Sequence, residues 1–304
     1  MTFKRLISLT VVVASLALWS CQKNEPDSSG KADISRPLAS DKLRVLTTTA
    51  PLYSFTLNIA GDAAHVENLL PSGTGPHDFS LSPLDAKKVT DAHVLVINGV
   101  GLESWLDKVI DSAGAQKSAV EMLVIVDTSN GIGTMNRDPH IWLSPLNAII
   151  QVRNISDALI KADPRNRDIY AANAEAYIIR LNNLDREISD EIKTWSKKKF
   201  VAFHSAFGYF ARDYGLHQAA VIQETPETEP SPRHIASVIK TIRSKGIKSI
   251  FTETRASHKI ISSLANDLGL KVYSLDTLEK GEPGSEWYEE RMRANLAVFK
   301  EALK

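Results

Sequence analysis

Apolar and polar positions along the chain alternate between short strand-like runs and helix-like stripes. LRVLTTT (43–49), VENLLP (66–71), HVLVING (93–99) and LVIVDTS (123–129) are apolar runs of strand length. Between them, SFTLNIAG (54–61), SPLDAKKVTDA (82–92) and LESWLDKVIDSAG (102–114) read as helices, with Gly61 and Gly114 as expected stops. Ser82-Pro83 supplies a helix N-cap and first position, and Ser144-Pro145 opens a longer helix over 144–163 in the same way. Beyond residue 198 the alternation restarts. KFVAFHSAF (199–207), QAAVIQ (218–223), IKSIFTE (247–253) and KVYSLDTL (271–278) are the apolar runs, and 231–246, 257–270 and a segment from about Ser285 are helical. Strands alternating with helices predict parallel sheets with crossover connections.

One stripe separates the two series. Tyr170, Ala174, Tyr177, Leu181, Leu184, Ile188, Ile192 and Trp195 follow each other at spacings of three or four, with no glycine or proline after Pro164. At 1.5 Å per residue this is a rod of roughly 45–50 Å, longer than one small domain is wide. The predicted fold is therefore α/β: two lobes with parallel sheets, linked by one long backbone helix, with a ligand cleft between them. The boundaries expected are 43–162 for the first lobe, 163–197 for the helix and 198–304 for the second lobe. A rigid connecting helix implies small lobe tilts rather than wide hinge bending.

The N-terminus differs in kind. Two cations in MTFKR precede LISLTVVVASLAL (6–18), an uncharged run of 13 residues. A membrane span needs about 20 apolar residues, so this run reads as the core of a secretory signal over 1–20. It ends at Cys21, the chain's one cysteine. An exported protein cannot pair a single thiol internally, and acylation would consume it. LWSC resembles a bacterial lipobox, although Trp19 is larger than the usual residue at its position. Cys21 is thus expected to be lipidated and to hold the protein to membrane lipid. The polar stretch over 21–42 reads as a flexible tether.

Composition changes this picture little. The chain has 304 residues, 43% hydrophobic and 24% charged, with zero formal net charge. Neutrality removes any argument for nucleic acid as a partner.

The chemistry lies with the histidines, of which there are eight. His77 (in GTGPHDF), His140 (in RDPHIWLSP) and His204 (after FVAF) each sit at the end of an apolar run or in the loop that follows it. Asp276 stands in the same way after VYSL. In open α/β sheets that rim is where ligands bind. Three imidazoles and a carboxylate form an N3O set, which suits zinc, with the more oxygen-loving manganese second. His65, His93, His217, His234 and His258 read as surface or structural residues. No HExxH helix and no Gly-x-Ser-x-Gly elbow is present, so neither zincin nor serine hydrolase chemistry has its motif. NGVGLE (98–103) lacks the third glycine of a nucleotide loop and reads as a tight strand-to-helix turn. ETPETEP (224–230) reads as a solvated acidic loop, with attraction of cations at the cleft mouth as its functional alternative.

Over 43–304 the chain resembles the zinc/manganese solute-binding lipoproteins of bacterial ABC importers. The likeness rests on LLPSGTGPHDFSLSPLDAKKVTDAHVLVINGVGLESWLDKVI, DPHIWLSPLNA, FVAFHSAFGYFARDYGL, ETEPSPRHIASVIKTIRSKGIKSIFTET and YSLDTL, in that order. It implies two lobes on one backbone helix and a metal held by His77, His140, His204 and Asp276. It also implies a membrane permease as partner and a site outside the cytoplasm, at the outer face of the membrane or in the periplasm. The cargo expected is a divalent metal, Zn2+ or alternatively Mn2+, carried by a monomer without catalytic residues. His204 tilts the expectation to zinc, since manganese binders tend to carry glutamate there. Many zinc importers have a histidine-rich insertion before DPHxW; here TSNGIGTMNR (128–137) holds no histidine, so no auxiliary zinc-gathering loop is expected. The alternatives are a zinc hydrolase, with Glu253 as the spare acid near a strand end, and an adhesive surface protein that metal only stiffens.

Overall fold

The computed structural model describes residues 42–77, 79–116, 123–136, 138–223, 229–253 and 259–304. The expected signal, Cys21, the expected tether up to residue 41, His258 and most of the ETPETEP loop lie outside the described residues.

The first half runs β1 (Leu43–Thr47), α1 (Ala50–Ala60), β2 (Ala64–Asn68), α2 (Pro83–Asp91), β3 (Val94–Ile97), α3 (Asp107–Gln116) and β4 (Val124–Asp127). Two helices follow, α4 (Pro145–Ala162) and α5 (Arg167–Lys193). The second half runs β5 (Lys199–His204), α6 (Gly208–Asp213), β6 (His217–Gln223), α7 (Pro232–Lys245), β7 (Ser249–Glu253), α8 (Lys259–Leu268), β8 (Lys271–Leu275) and α9 (Trp287–Leu303). The sheets are ordered β2-β1-β3-β4 and β6-β5-β7-β8. Every pairing is parallel, so all strands of a sheet end on one rim. The two halves repeat one topology.

Helix starts follow the sequence signals. Ser82 Oγ accepts from the Asp85 N–H at 3.2 Å, and Ser82 N–H donates back to the Asp85 carboxylate at 3.0 Å, a reciprocal cap. Ser144 and Ser231 cap α4 and α7, each before a proline. Gly114 does not end its helix: a 3-10 turn at Ser104–Leu106 comes first, and α3 continues through Gly114 to Gln116. One interior glycine costs about 1 kcal/mol, which neighbouring turns can absorb.

α5 is the predicted rod, somewhat shorter than its stripe. Its 27 residues span about 40 Å. Pro164–Asn166 forms a separate 3-10 turn before it, because Asp163 accepts from Asn166 Nδ2 at 2.6 Å and from Arg165 Nε at 3.2 Å. Trp195 lies past the helix end but is still buried. The stripe joins one apolar cluster that contains Val45, Phe55 and Val96 of the first half and Phe200, Phe251 and Phe299 of the second. Smaller clusters fill the far face of each sheet, around Leu46, Val89 and Leu95 and around Val201, Ile242 and Ile250.

A polar clasp ties the spine together. Arg180 of α5 donates to the Glu289 carboxylate of α9 (Nε, 2.9 Å), to Asn58 Oδ1 of α1 at 3.0 Å and to Ser285 O at 3.0 Å. Asn58 Nδ2 also donates to Ser285 O, and Ser54 Oγ to Gly284 O, both at 2.7 Å. The final helix and its leading loop therefore close on an element formed some 230 residues earlier in the chain.

Candidate metal centre

Four side chains converge at the strand rims. His77 stands on the loop after β2, His140 in the loop after β4, His204 at the end of β5 and Glu279 in the loop after β8. Each offers one donor atom, and these atoms lie within 4.8 Å of one another. His140 Nε2 is 3.2 Å from His77 Nε2 and 3.1 Å from Glu279 Oε1. His77 Nε2 is 3.4 Å from the same oxygen. The His204 ring lies 4.7 Å from that of His140 and 5.6 Å from that of His77, centroid to centroid. His140, His204 and Glu279 are buried, while His77 keeps 15% of its side chain exposed.

The expected carboxylate, Asp276, is not among these four. Asp276 stands outside the quartet, where its Oδ2 accepts from Arg291 Nη1 at 3.0 Å and its Oδ1 from the Leu278 N–H at 2.9 Å. The acid facing the histidines is Glu279, three residues on. Asn295 of α9 grips the Asp276 backbone, donating to its carbonyl at 2.7 Å and accepting from its N–H at 2.8 Å. The loop then turns through Leu278, whose φ of 59° is rare for a side chain of that size, and aims Glu279 inward.

The surroundings prepare the imidazoles. Asp138 Oδ1 lies 2.7 Å from His140 Nδ1 and also accepts the His140 backbone N–H at 2.9 Å. This holds the ring and leaves Nε2 for the quartet, an arrangement that orients metal-binding histidines. Asp138 and Pro139 are themselves held: Tyr209 of α6 donates to Asp138 O at 2.8 Å, and Asn98 Nδ2 donates to Pro139 O at 2.8 Å. Glu253 Oε1 lies 2.9 Å from His204 Nδ1, at ion-pair distance, while the buried Nε2 of the same ring has no hydrogen-bond partner. An orphaned buried nitrogen beside two other imidazoles and a carboxylate fits a cation.

Burial alone would push the His140 imidazole down. The hydrogen bonds and charges of Asp138 and Glu279 overcome it and hold the group up at about 9. Burial works on Glu279 in the opposite sense, and hydrogen bonds from His140 and His77 hold its carboxyl well below the usual carboxylate range. Without metal, a proton on His140 balances the Glu279 charge.

A cleft of about 850 Å³ opens beside the quartet, lined by His77 and His140, by Trp105 and Met135 from the first half, and by Arg212 and Val221 from the second. The other described histidines are elsewhere. His93 Nδ1 accepts from Arg44 N–H at 3.0 Å, His234 Nε2 lies 2.9 Å from Val221 O, His217 is 3.1 Å from Lys245 Nζ, and His65 lies on β2. The NGVGLE segment is a tight turn, as expected. Its backbone N–H groups at Asn98 and Gly99 are taken by the Glu103 carboxylate, at 2.7 and 3.2 Å, which fills the place an anion would need. Gly99 has φ of 83°, and a Cβ there would meet Asp127 Oδ1 at 2.1 Å.

Two parallel α/β lobes on one spine helix, with a buried three-imidazole, one-carboxylate cluster between them, define a two-lobed solute-binding protein with a metal-type donor set. Within that class, the chain belongs to the family described as zinc-uptake complex component A, periplasmic, whose sequence model matches residues 45–302. It is 33% identical to the high-affinity zinc uptake system protein ZnuA of Bacillus subtilis, over 99% of this chain and 98% of that protein. The Zn(II)-bound ZnuA-like domain of Streptococcus pneumoniae AdcA is 32% identical, with a TM-score of 0.74 over 86% of this chain and 99% of that one. FpvC of Pseudomonas aeruginosa, solved with Ni2+, is 30% identical, with a TM-score of 0.78 over 86% of this chain and 97% of that one. Among the described residues no helix is long and apolar enough to cross a membrane.

Proposed function

We propose that this protein is an extracytoplasmic receptor that captures a divalent transition metal, zinc before manganese, and delivers it to an ABC-type permease. The observation that carries this reading is the quartet of His77, His140, His204 and Glu279, whose donors lie within 4.8 Å of one another. Three neutral imidazoles and one carboxylate match zinc's borderline, four-coordinate preference. The zinc named for the ZnuA and AdcA relatives supports the same choice, whereas FpvC has been solved with Ni2+ and with Mn2+. The cargo meets ligands already gathered in the cleft and displaces the proton of His140.

The protein is not an enzyme in this reading. Catalytic zinc keeps three protein ligands and an open position, and here a fourth donor fills the shell. Glu253, the one candidate base, is engaged beside His204. Export, attachment to membrane lipid through Cys21 and a monomeric state complete the proposal. They rest on the leader-like segment, on the lone cysteine and on the AdcA relative named a lipoprotein.

The test is elemental analysis of protein purified without added metal and then exposed to equal zinc and manganese. About one zinc per chain is expected, lost in His204→Ala. Less than a tenth of an equivalent of either metal overturns the reading. Growth of a deletion strain separates import from adhesion, since only a transport role makes it fail when zinc is scarce.

A further inference from the structure

Asp276 stands three residues before Glu279 and outside the quartet. Residues 276–278 form a short turn between β8 and Glu279. Its polar groups are taken up by other parts of the molecule. Asp276 N–H and C=O pair with the Asn295 side chain at 2.8 and 2.7 Å, and Thr277 O accepts from Trp142 Nε1 at 2.9 Å. Leu278 N–H donates to Asp276 Oδ1 at 2.9 Å, and Arg291 Nη1 holds the other carboxylate oxygen at 3.0 Å.

Leu278 is the turning point. Its φ of 59° is the left-handed conformation, which a leucine disfavours, and its side chain is wholly buried in the main core. Two restraints hold it there: the buried side chain and the carboxylate that accepts its N–H. The next residue is Glu279, 3.1 Å from His140 Nε2. A relaxed Leu278 would redirect the following peptide and withdraw the Glu279 carboxylate from the histidines.

We propose that Asp276 is a positioning residue for metal capture: its carboxylate locks the 276–278 turn that presents Glu279 to the quartet. The inference rests on the metal-receptor reading above and extends it to the origin of the fourth donor. Arg291 and Asn295, one helical turn apart on α9, are its supports.

The test uses the full chain, measuring zinc affinity by chelator competition and the visible spectrum of bound Co2+. Asp276→Asn keeps an oxygen that can accept from Leu278, so its affinity stays within about threefold of wild type. Asp276→Ala removes the acceptor and weakens binding on the order of 10- to 100-fold, as loss of outer supports does at metal sites. Its cobalt spectrum comes to match that of Glu279→Gln. Thermal unfolding without metal checks that the variants are folded. If Asp276→Ala does not fold, Asp276→Asn still decides, because a residue that binds the ion directly would lose affinity there and a turn-former would not. Wild-type affinity in Asp276→Ala, or a loss in Asp276→Asn as deep as that of Glu279→Gln, overturns the proposal. Wild-type affinity in Glu279→Gln overturns instead the assignment of Glu279 to the metal, which is a separate result.

Discussion

Lowering the pH should release zinc over a range set by His140. Its imidazole is held up at about 9 in the metal-free protein, through Asp138 and Glu279. Zinc requires the neutral ring, so below that value each pH unit costs about tenfold in apparent affinity. Between pH 8 and pH 6 the dissociation constant should rise about 100-fold, or ~2.7 kcal/mol at 1.36 kcal/mol per unit. The metal-free protein answers in the opposite direction. A raised imidazole stabilises the fold fully below 6.5, its ordinary value, and that contribution is lost as pH rises through about 9. Glu279, held down, stabilises above its ordinary 4.5 and loses that contribution as pH falls toward its folded value. Metal-free stability should therefore peak between the two, while zinc loading favours the alkaline side. Chelator competition at pH 6, 7 and 8 at fixed salt gives the affinities. Calorimetry in buffers of different ionisation enthalpy counts the proton, with about one expected per zinc near pH 7.5. An affinity constant across that range, or no proton released, refutes the coupling of His140 to Glu279 and the metal.

Zinc at 100 times its dissociation constant should add about 2.7 kcal/mol to unfolding, with the melting temperature returning to its starting value on chelation. Glu253→Ala should lower zinc affinity roughly tenfold by freeing the His204 ring, while leaving metal-free melting nearly unchanged; an unaltered affinity rejects Glu253 as its support. Arg180→Ala strands the buried Glu289 carboxylate. Because Arg180 keeps 41% of its side chain exposed, the loss should be about 2 kcal/mol by urea denaturation rather than the 3–5 of a fully buried pair. Leu184→Ala, at a wholly buried position of α5, should cost 2–5 kcal/mol in the same assay with zinc stoichiometry unchanged.

The backbone architecture was legible because its signals are local. Ser-Pro caps opened three helices where expected, and the three-and-four stripe of α5 is buried at Tyr170, Ala174, Tyr177, Leu181, Leu184, Ile188 and Ile192. His77, His140 and His204 could be singled out because each ends or follows an apolar run, and parallel strands bring such ends to one rim. The fourth donor was not legible by that logic. Asp276 and Glu279 both follow β8 closely, and the contacts that set Asp276 apart come from side chains 15 and 19 residues away, Arg291 and Asn295. A signal was present in their spacing of four, which puts a cation and an amide on one face of α9. The supports of the imidazoles were partly hidden too. Asp138 stands two residues before its partner His140, but Glu253 reaches His204 only through the pairing of β5 with β7.

The unbroken apolar filling along α5 means that neither half owns a finished interior. A chain cut near residue 195 would leave each fragment with a bare oily flank, so the protein should denature in a single sigmoidal step. Such a body should behave as a stiff clip. X-ray scattering curves with and without zinc should nearly superimpose, and releasing the ion would then fall to whatever machine pries at the rim.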